Sequence, residues 1–403
     1  MRIAVIGAGV VGVSTAYLLS KDGHAVTLID AASKPGQGAS AGNAAQLSWA
    51  YGDALASPSL LKHLPDIVAG RDPAFRVRVR LDPDFLLWGL RFLSQTSDRR
   101  WWENTTAILN LADESRREMA ALLSEAELCF DYRVAGKLHL YPDAASFSAA
   151  APLVERKRRL GLEQRLLPRA EAEAVEPALR YYRGEIAGAV YTPGDALGDA
   201  AAFSRDLTRF AAIHYGLETI FGVMVTGFER HKGRVTAISF ADRNALAVDA
   251  AVVTAGPLIR TLRRDLPEAS LVQPVRGYSL TVPWRDGAPR VSLTDVKRKL
   301  AFAAIGDRFR VAGLADIERP GAGFDPVRFE VLKDQADGLL PGHFHVGEGV
   351  VAWSGERPTT PSSQPIIAPS LRAKGIYINA GHGMLGWTLA MGSARRLVNM
   401  LAS

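Results

Sequence analysis

R-I-A-V-I-G-A-G-V-V-G, Arg2 to Gly12, opens the chain, and after a run ending K-D at Asp22 comes H-A-V-T-L-I-D, His24 to Asp30. Arg2 to Ile6 has the short, β-branched, apolar character of a buried strand. Glycines at 7, 9 and 12 punctuate a tight turn, and Val13, Tyr17 and Leu18 recur at helical spacing. A second strand then closes on an acid. Strand, glycine turn, helix, strand and acid in that order predict a βαβ unit on a parallel sheet. The uncharged run from Ile3 to Leu19 is too broken by glycine, and too poor in basic flank, to read as a leader peptide or membrane anchor.

Each part of this unit suits one piece of a dinucleotide. Gly7 permits the sharp turn, Gly9 lets the backbone approach a pyrophosphate, and Gly12 lets helix and strand pack closely. Val10 and Val11 lie in the turn just before the helix expected over 13–22, whose free N–H groups and positive dipole end favour phosphate. Asp30, with Ala31 beside it, is placed to accept hydrogen bonds from ribose hydroxyls. After Asp30 no third strand follows at once. Gly36 to Ser48 is instead rich in small and hydroxyl residues, a loop able to lie along an extended cofactor, with Ser40, Asn43 and Gln46 offering hydrogen bonds.

The 403 residues exceed a single-core domain, with 48% hydrophobic and 22% charged residues typical of soluble globular chains. Two domains are expected. The 48 Lys and Arg against 42 Asp and Glu leave +6 without dense basic runs, so nucleic acid is not read as a partner. Cys129 is the one cysteine, which allows no internal disulfide; no metal site is expected, and a reducing, cytoplasmic setting fits best. Basic clusters at Arg71 to Arg80 and Glu155 to Arg159 read as solvated faces, with peripheral contact to a membrane surface as the alternative.

Trp88, Leu90, Phe92, Trp101, Trp102, Leu109, Met119 and Leu123 follow amphipathic helical spacing and are expected to fill core. Lys137–Tyr141, 187–192, 237–240 and 278–282 alternate more than the first strand and predict a mostly antiparallel second sheet. A helix over 200–214, a strand over 217–221 and the buried run A-V-V-T-A-G-P, Ala251 to Pro257, return the chain to the first sheet. Near the end, a strand at 350–354 precedes G-E-R-P-T-T-P-S-S-Q-P-I-I and G-I-Y-I-N-A-G-H-G-M-L-G-W-T, and a helix closes the chain. Gly381, Gly383 and Gly386 again lie between strand and helix, where partial positive charge would stabilise an anionic reduced flavin.

G-A-G-V-V-G, G-N-A-A-Q, Q-P-V-R-G-Y-S-L-T, Y-T-P-G-D-A-L-G-D, G-E-R-P-T-T-P and N-A-G-H-G-M-L-G-W-T together resemble the FAD-dependent D-amino-acid oxidase and glycine oxidase superfamily. Within it the chain is similar to the bacterial D-amino acid dehydrogenases, over nearly its whole length. The resemblance implies an α/β fold: a Rossmann-like FAD-binding domain of the glutathione-reductase type, made from 1–80, 195–262 and 346–403. A second α+β domain on a mostly antiparallel sheet, from 81–194 and 263–345, would bind substrate. It implies non-covalent FAD held by Gly7, Gly9, Val10, Val11, Gly12, Asp30, Ala31 and Ser40, with Val225, Ala255 and Gly256 beside them. Asn43, Ala44, Gln46 and Leu47 would lie near the flavin, as would Gly381, His382, Gly383, Met384, Leu385, Gly386, Trp387 and Thr388.

The implied reaction is oxidation of an amino acid, D-configured in the leading reading, with hydride leaving its α-carbon for the flavin and electrons passing to a quinone or other carrier. Arg357 would grip the carboxylate with its planar fork, Arg276 and Arg310 stand in reserve, and Tyr278 could add a hydroxyl. His382 reads as a structural hydrogen-bonding group more than a base. Ser362 and Ser363 replace the Asp-Gly that relatives often carry after R-P-x-T-P, which puts finer specificity in question. The alternatives are an oxidase of glycine, an N-alkyl amino acid or a cyclic imino acid; a flavoprotein subunit of an electron-transfer complex; and an NAD-linked enzyme.

Overall fold

A computed structural model describes residues 1–344 and 349–402. The first βαβ unit forms as its residues dictate: strand Arg2–Ile6, helix Val10–Lys21 and strand Ala25–Asp30. These strands sit inside a six-stranded sheet in the order 218–221, 25–30, 2–6, 250–253, 376–380, 366–369. The first five are parallel and the last is antiparallel. Alternation sorts their side chains between two cores. Ile3, Val5, Val26, Leu28 and Val252 pack under the helices Val10–Lys21, Ala200–Tyr215 and Gly386–Ala402. Ala4, Ile6, Ile29, Ala251, Val253 and Ile378 face a three-stranded antiparallel sheet of 225–231, 234–240 and 246–247. Both faces are covered, which is why these strands read as continuous apolar runs.

The second sheet has nine strands, in the order 351–359, 273–283, 308–317, 300–305, 292–295, 137–141, 188–192, 165–168, with 75–77 alongside 308–317. Most pairings are antiparallel, as the alternating pattern predicts; 292–295 with 137–141, and 75–77 with 308–317, are parallel. Helix Pro326–Leu339 covers one face through Phe329, Leu332, Ala336 and Leu339, against Tyr278, Leu280, Val282, Phe302 and Val311. The other face looks toward the small-residue loop after Asp30 and the C-terminal glycine turn.

Several elements differ from the sequence reading. The strand expected at 350–354 continues to Thr359 and pairs with Gln273–Pro283 along its length, so R-P belongs to the large sheet. Strand 75–77 joins that sheet too, and 237–240 joins the small sheet over the nucleotide unit. The expected division between 345 and 346 lies outside the described residues. Lys157 is not on a solvated face; it is 1% exposed and pairs with Asp53 at 2.8 Å.

Candidate functional site

The N-terminal glycine turn is built for close approach. A Cβ on Gly12 would lie 1.7 Å from the Gly7 carbonyl oxygen, and one on Gly7, at φ 110°, 2.6 Å from that of Thr254. Only glycine fits either place. The helix that starts at Val10 has no acidic residue in its first turn, and the Ser40 hydroxyl accepts from the Val10 N–H at 3.1 Å. Asp30 ends its strand and accepts from the N–H groups of Ala8, at 2.5 Å, and Ala32, at 2.7 Å. It thereby fixes the turn as well as presenting a carboxylate beside it. Gly256 and Ala255 follow the neighbouring strand Ala250–Val253, and a Cβ at Gly256 would meet nothing within 4 Å. Val225 is buried among Val235 and Val248, a core position.

The C-terminal turn mirrors this arrangement. Gly381 and Gly383 adopt positive φ between strand Ile376–Ala380 and helix Gly386–Ala402, which has no acid in its first turn. Met384 is exposed and Leu385 partly so. His382 is buried, and its Nε2 lies 3.0 Å from the Ser393 hydroxyl. That hydroxyl donates its one proton to the Ala390 carbonyl, so the imidazole Nε2–H must be the donor to it. Burial alone pushes His382 down to about 3, which keeps it neutral. Trp387 points away from the turn: its indole N–H donates to the Gly198 carbonyl, and its ring packs 4.6 Å from Phe203. It wedges the core. Thr388 accepts from the Ser48 N–H at 3.1 Å and so ties the two glycine-rich segments together.

On the open face of the large sheet, the period of two decides which arginines meet. Arg357 stands opposite Val275 in register, and its guanidinium lies over Gly277, where a Cβ would be 2.1 Å from it. Nη1 donates to the Leu314 carbonyl at 2.8 Å, and among the described residues no other group bonds the fork. Burial pulls Arg357 down to about 10, which leaves it charged at neutral pH. Trp353, on the same face, packs against Gly42 and Gly355.

Arg276 and Tyr278 are one residue out of phase with Val275 and Gly277, so they occupy the helix-covered face. The expectation that they help grip a substrate is corrected here. Arg276 pairs with Glu318 at 3.0 Å and Glu356 at 2.9 Å. Arg76 and Arg328 complete that buried network around Asp316. Tyr278 is fully buried in the core, and burial pushes its hydroxyl up to about 12. Arg310 is on the open face, but Nε donates to the Thr281 hydroxyl and Nη1 to the Asn43 carbonyl. It serves the loop.

Sequence reasoning missed Trp353 and a buried polar group of Lys137, His139, Tyr51, Asp195, Lys157 and Asp53. K-L-H-L-Y, Lys137 to Tyr141, carried the signal: polar residues two apart share one face of a strand.

A family model for DAO, FAD dependent oxidoreductases, matches residues 2–400, and the chain belongs to that family. Its fold and its two glycine turns are those of an FAD-using oxidoreductase. The chain is 39% identical over 420 residues to D-amino acid dehydrogenase 2 of Ralstonia nicotianae, covering 100% of this chain and 96% of that one. It is 37% identical over 413 residues to D-amino acid dehydrogenase of Paramagnetospirillum magneticum, covering 100% and 95%. Among solved structures, glycine oxidase of Bacillus cereus superposes with a TM-score of 0.74 at 19% identity, covering 100% of this chain and 94% of that one. That last likeness is one of fold.

Proposed function

We propose that this chain oxidises a D-amino acid with non-covalently bound FAD and passes the electrons to a quinone or similar carrier. The observation that carries it is Arg357: a partly buried, charged guanidinium with an edge unbonded by any described residue, on the sheet face that looks toward the two glycine turns. The names of the full-length relatives support the substrate class. The residues fit the cofactor, because Gly7 and Gly12 leave no room for a Cβ in the turn and both helix starts lack acids that would repel phosphate or an anionic ring.

In this reading Gly7, Gly9, Gly12, Asp30 and Ser40 hold the ADP half, with Gly256 at its open side. Asn43, Ala44, Gln46, Gly383 and Thr388 frame the ring. FAD supplies the two-electron acceptor when bound. The chain supplies orientation: Arg357 holds the substrate carboxylate by charge-assisted hydrogen bonds, which fixes the α-carbon. His382, neutral and tied to Ser393, shapes the turn and moves no proton. The division into a discontinuous FAD unit and a substrate unit belongs to the same proposal, with 75–77 and 351–359 added to the substrate sheet.

Among the described residues no helix is long and apolar enough to cross a membrane. Peripheral contact with an anionic lipid surface is part of the proposal. Helix Pro83–Leu93 buries Phe85, Trp88 and Phe92 yet also exposes Leu86, Leu87, Leu90 and Leu93, and Leu81 beside it is 96% exposed. A helix apolar on both faces at a protein surface is unusual. Lys62, Arg78 and Arg91 are exposed around it, matching such a surface in charge. The test of the main reading is anaerobic: purified protein carrying FAD, mixed with a D-amino acid, should lose its yellow absorbance. Colour unchanged across a panel of D-amino acids would refute it.

A further inference from the structure

A single row of side chains crosses five strands of the large sheet on its open face. Lys137 pairs with Ser292, and Ala303 with Arg310 and Arg310 with Thr281, while Leu293 and Phe302, next to Ser292 and Ala303, pair to join the two halves of the row. The segment Asn43 to Ser48 lies over this row and meets it in order. The Asn43 carbonyl accepts from Arg310 at 2.9 Å. Ala45, at φ 56°, packs with Ala303. The Gln46 amide donates to the Ser292 hydroxyl at 2.7 Å and the Leu293 carbonyl at 3.2 Å. Lys137 Nζ donates to the Ser48 hydroxyl at 2.8 Å. One residue on, the Trp49 N–H donates to Asp195.

Lys137 is the costly member of this row. It is 2% exposed, and no described carboxylate lies within ion-pair distance of it; the face of the Tyr51 ring is 4.7 Å away, and the charges of Asp195, Lys157 and Asp53 act on it from beyond contact. Burying a cation against a hydroxyl and a ring sacrifices hydration that neither partner restores in full. Burial indeed pulls Lys137 down to about 8. A leucine or methionine there would pack without that cost. What an apolar side chain could not do is hold Ser48, whose own N–H is bound to Thr388 in the C-terminal turn.

We propose that Lys137 is a positioning residue for the flavin: by anchoring Ser48 it locks the strap 43–48 across the sheet and in register with the C-terminal turn. This rests on the reading that the strap and that turn frame the ring. Arg310 and Lys137 then act at the strap's two ends, and neither touches the reacting atoms.

The experiment is a double-mutant cycle on FAD affinity, using Lys137→Met, Ser48→Ala and both together. Apoprotein is titrated with FAD, flavin fluorescence quenching gives Kd, and visible circular dichroism reports the ring's surroundings. Each single variant is expected to weaken FAD at least about tenfold and reshape the visible dichroism, and the double variant to be no worse than either. Unchanged affinity and dichroism in Lys137→Met, or losses that simply multiply, would overturn the proposal. Should Lys137→Met not fold, Lys137→Met with Asp195→Asn removes both buried charges while keeping an acceptor for Trp49, and the same outcomes decide. Wild-type protein that takes up no FAD defeats the underlying reading instead.

Discussion

Acid should unfold this protein partly through His382, and the size of the effect follows from its surroundings. The imidazole is 3% exposed, and burial lowers its pKa from 6.5 to about 3. In the unfolded chain it takes up a proton near pH 6.5; in the native chain it refuses one until about pH 3. The unfolded state therefore binds more protons throughout that window, so stability falls as pH falls, by up to about 1.4 kcal/mol per pH unit. Integrated from pH 7 to pH 5, this one group costs about 2 kcal/mol. His382→Gln keeps a donor for the Ser393 hydroxyl and removes the titration. Denaturant midpoints of FAD-loaded wild type and variant, at pH 7 and pH 5 and with m unchanged, isolate the term because other groups cancel. The variant should lose about 2 kcal/mol less than wild type between the two pH values. Equal losses would show that His382 is accessible to protons in the native state, contrary to its packing.

Arg357→Leu should retain FAD and its spectrum but reduce flavin reduction by D-amino acids on the order of a hundredfold, by removing a charge-assisted grip of roughly 3 kcal/mol; anaerobic stopped-flow measures it. Gly12→Ala places a methyl on the Gly7 carbonyl oxygen, and FAD retention through gel filtration should fall on the order of a hundredfold. Leu86→Glu with Leu90→Glu should abolish co-sedimentation with anionic vesicles while leaving turnover with a soluble dye unchanged; persistent co-sedimentation would remove the helix from the membrane reading.

Local pattern made the first βαβ unit legible, because its strand, turn and helix are each over-determined by neighbouring residues. Glycines 7 and 12 are where backbone geometry permits nothing larger. The strand character of 137–141, 187–192 and 278–282 was legible too, through alternation, although the last of these strands begins earlier, at Gln273. What the alternation did not disclose was which face is which. Arg276 and Arg357 both sit on strands beside R-G and R-P motifs, and only the register of 273–283 against 351–359 and the cover of helix 326–339 separate them. Trp387 was misleading for a related reason. It stands in the most specific motif of the chain, but at the first turn of a helix whose inward side belongs to the core. Lys157 sits in a run of basic residues that reads as solvated, and its partner Asp53 is about a hundred residues away, a distance no local rule spans.

Position 277 carries a constraint that its own chemistry does not suggest. The guanidinium of Arg357 occupies the volume in which any side chain at 277 would begin. A methyl there would therefore not weaken the strand so much as evict the arginine from across it. The two positions are free to change only in concert, and a related chain with a bulkier residue at the first would have to take hold of its substrate by some other hand.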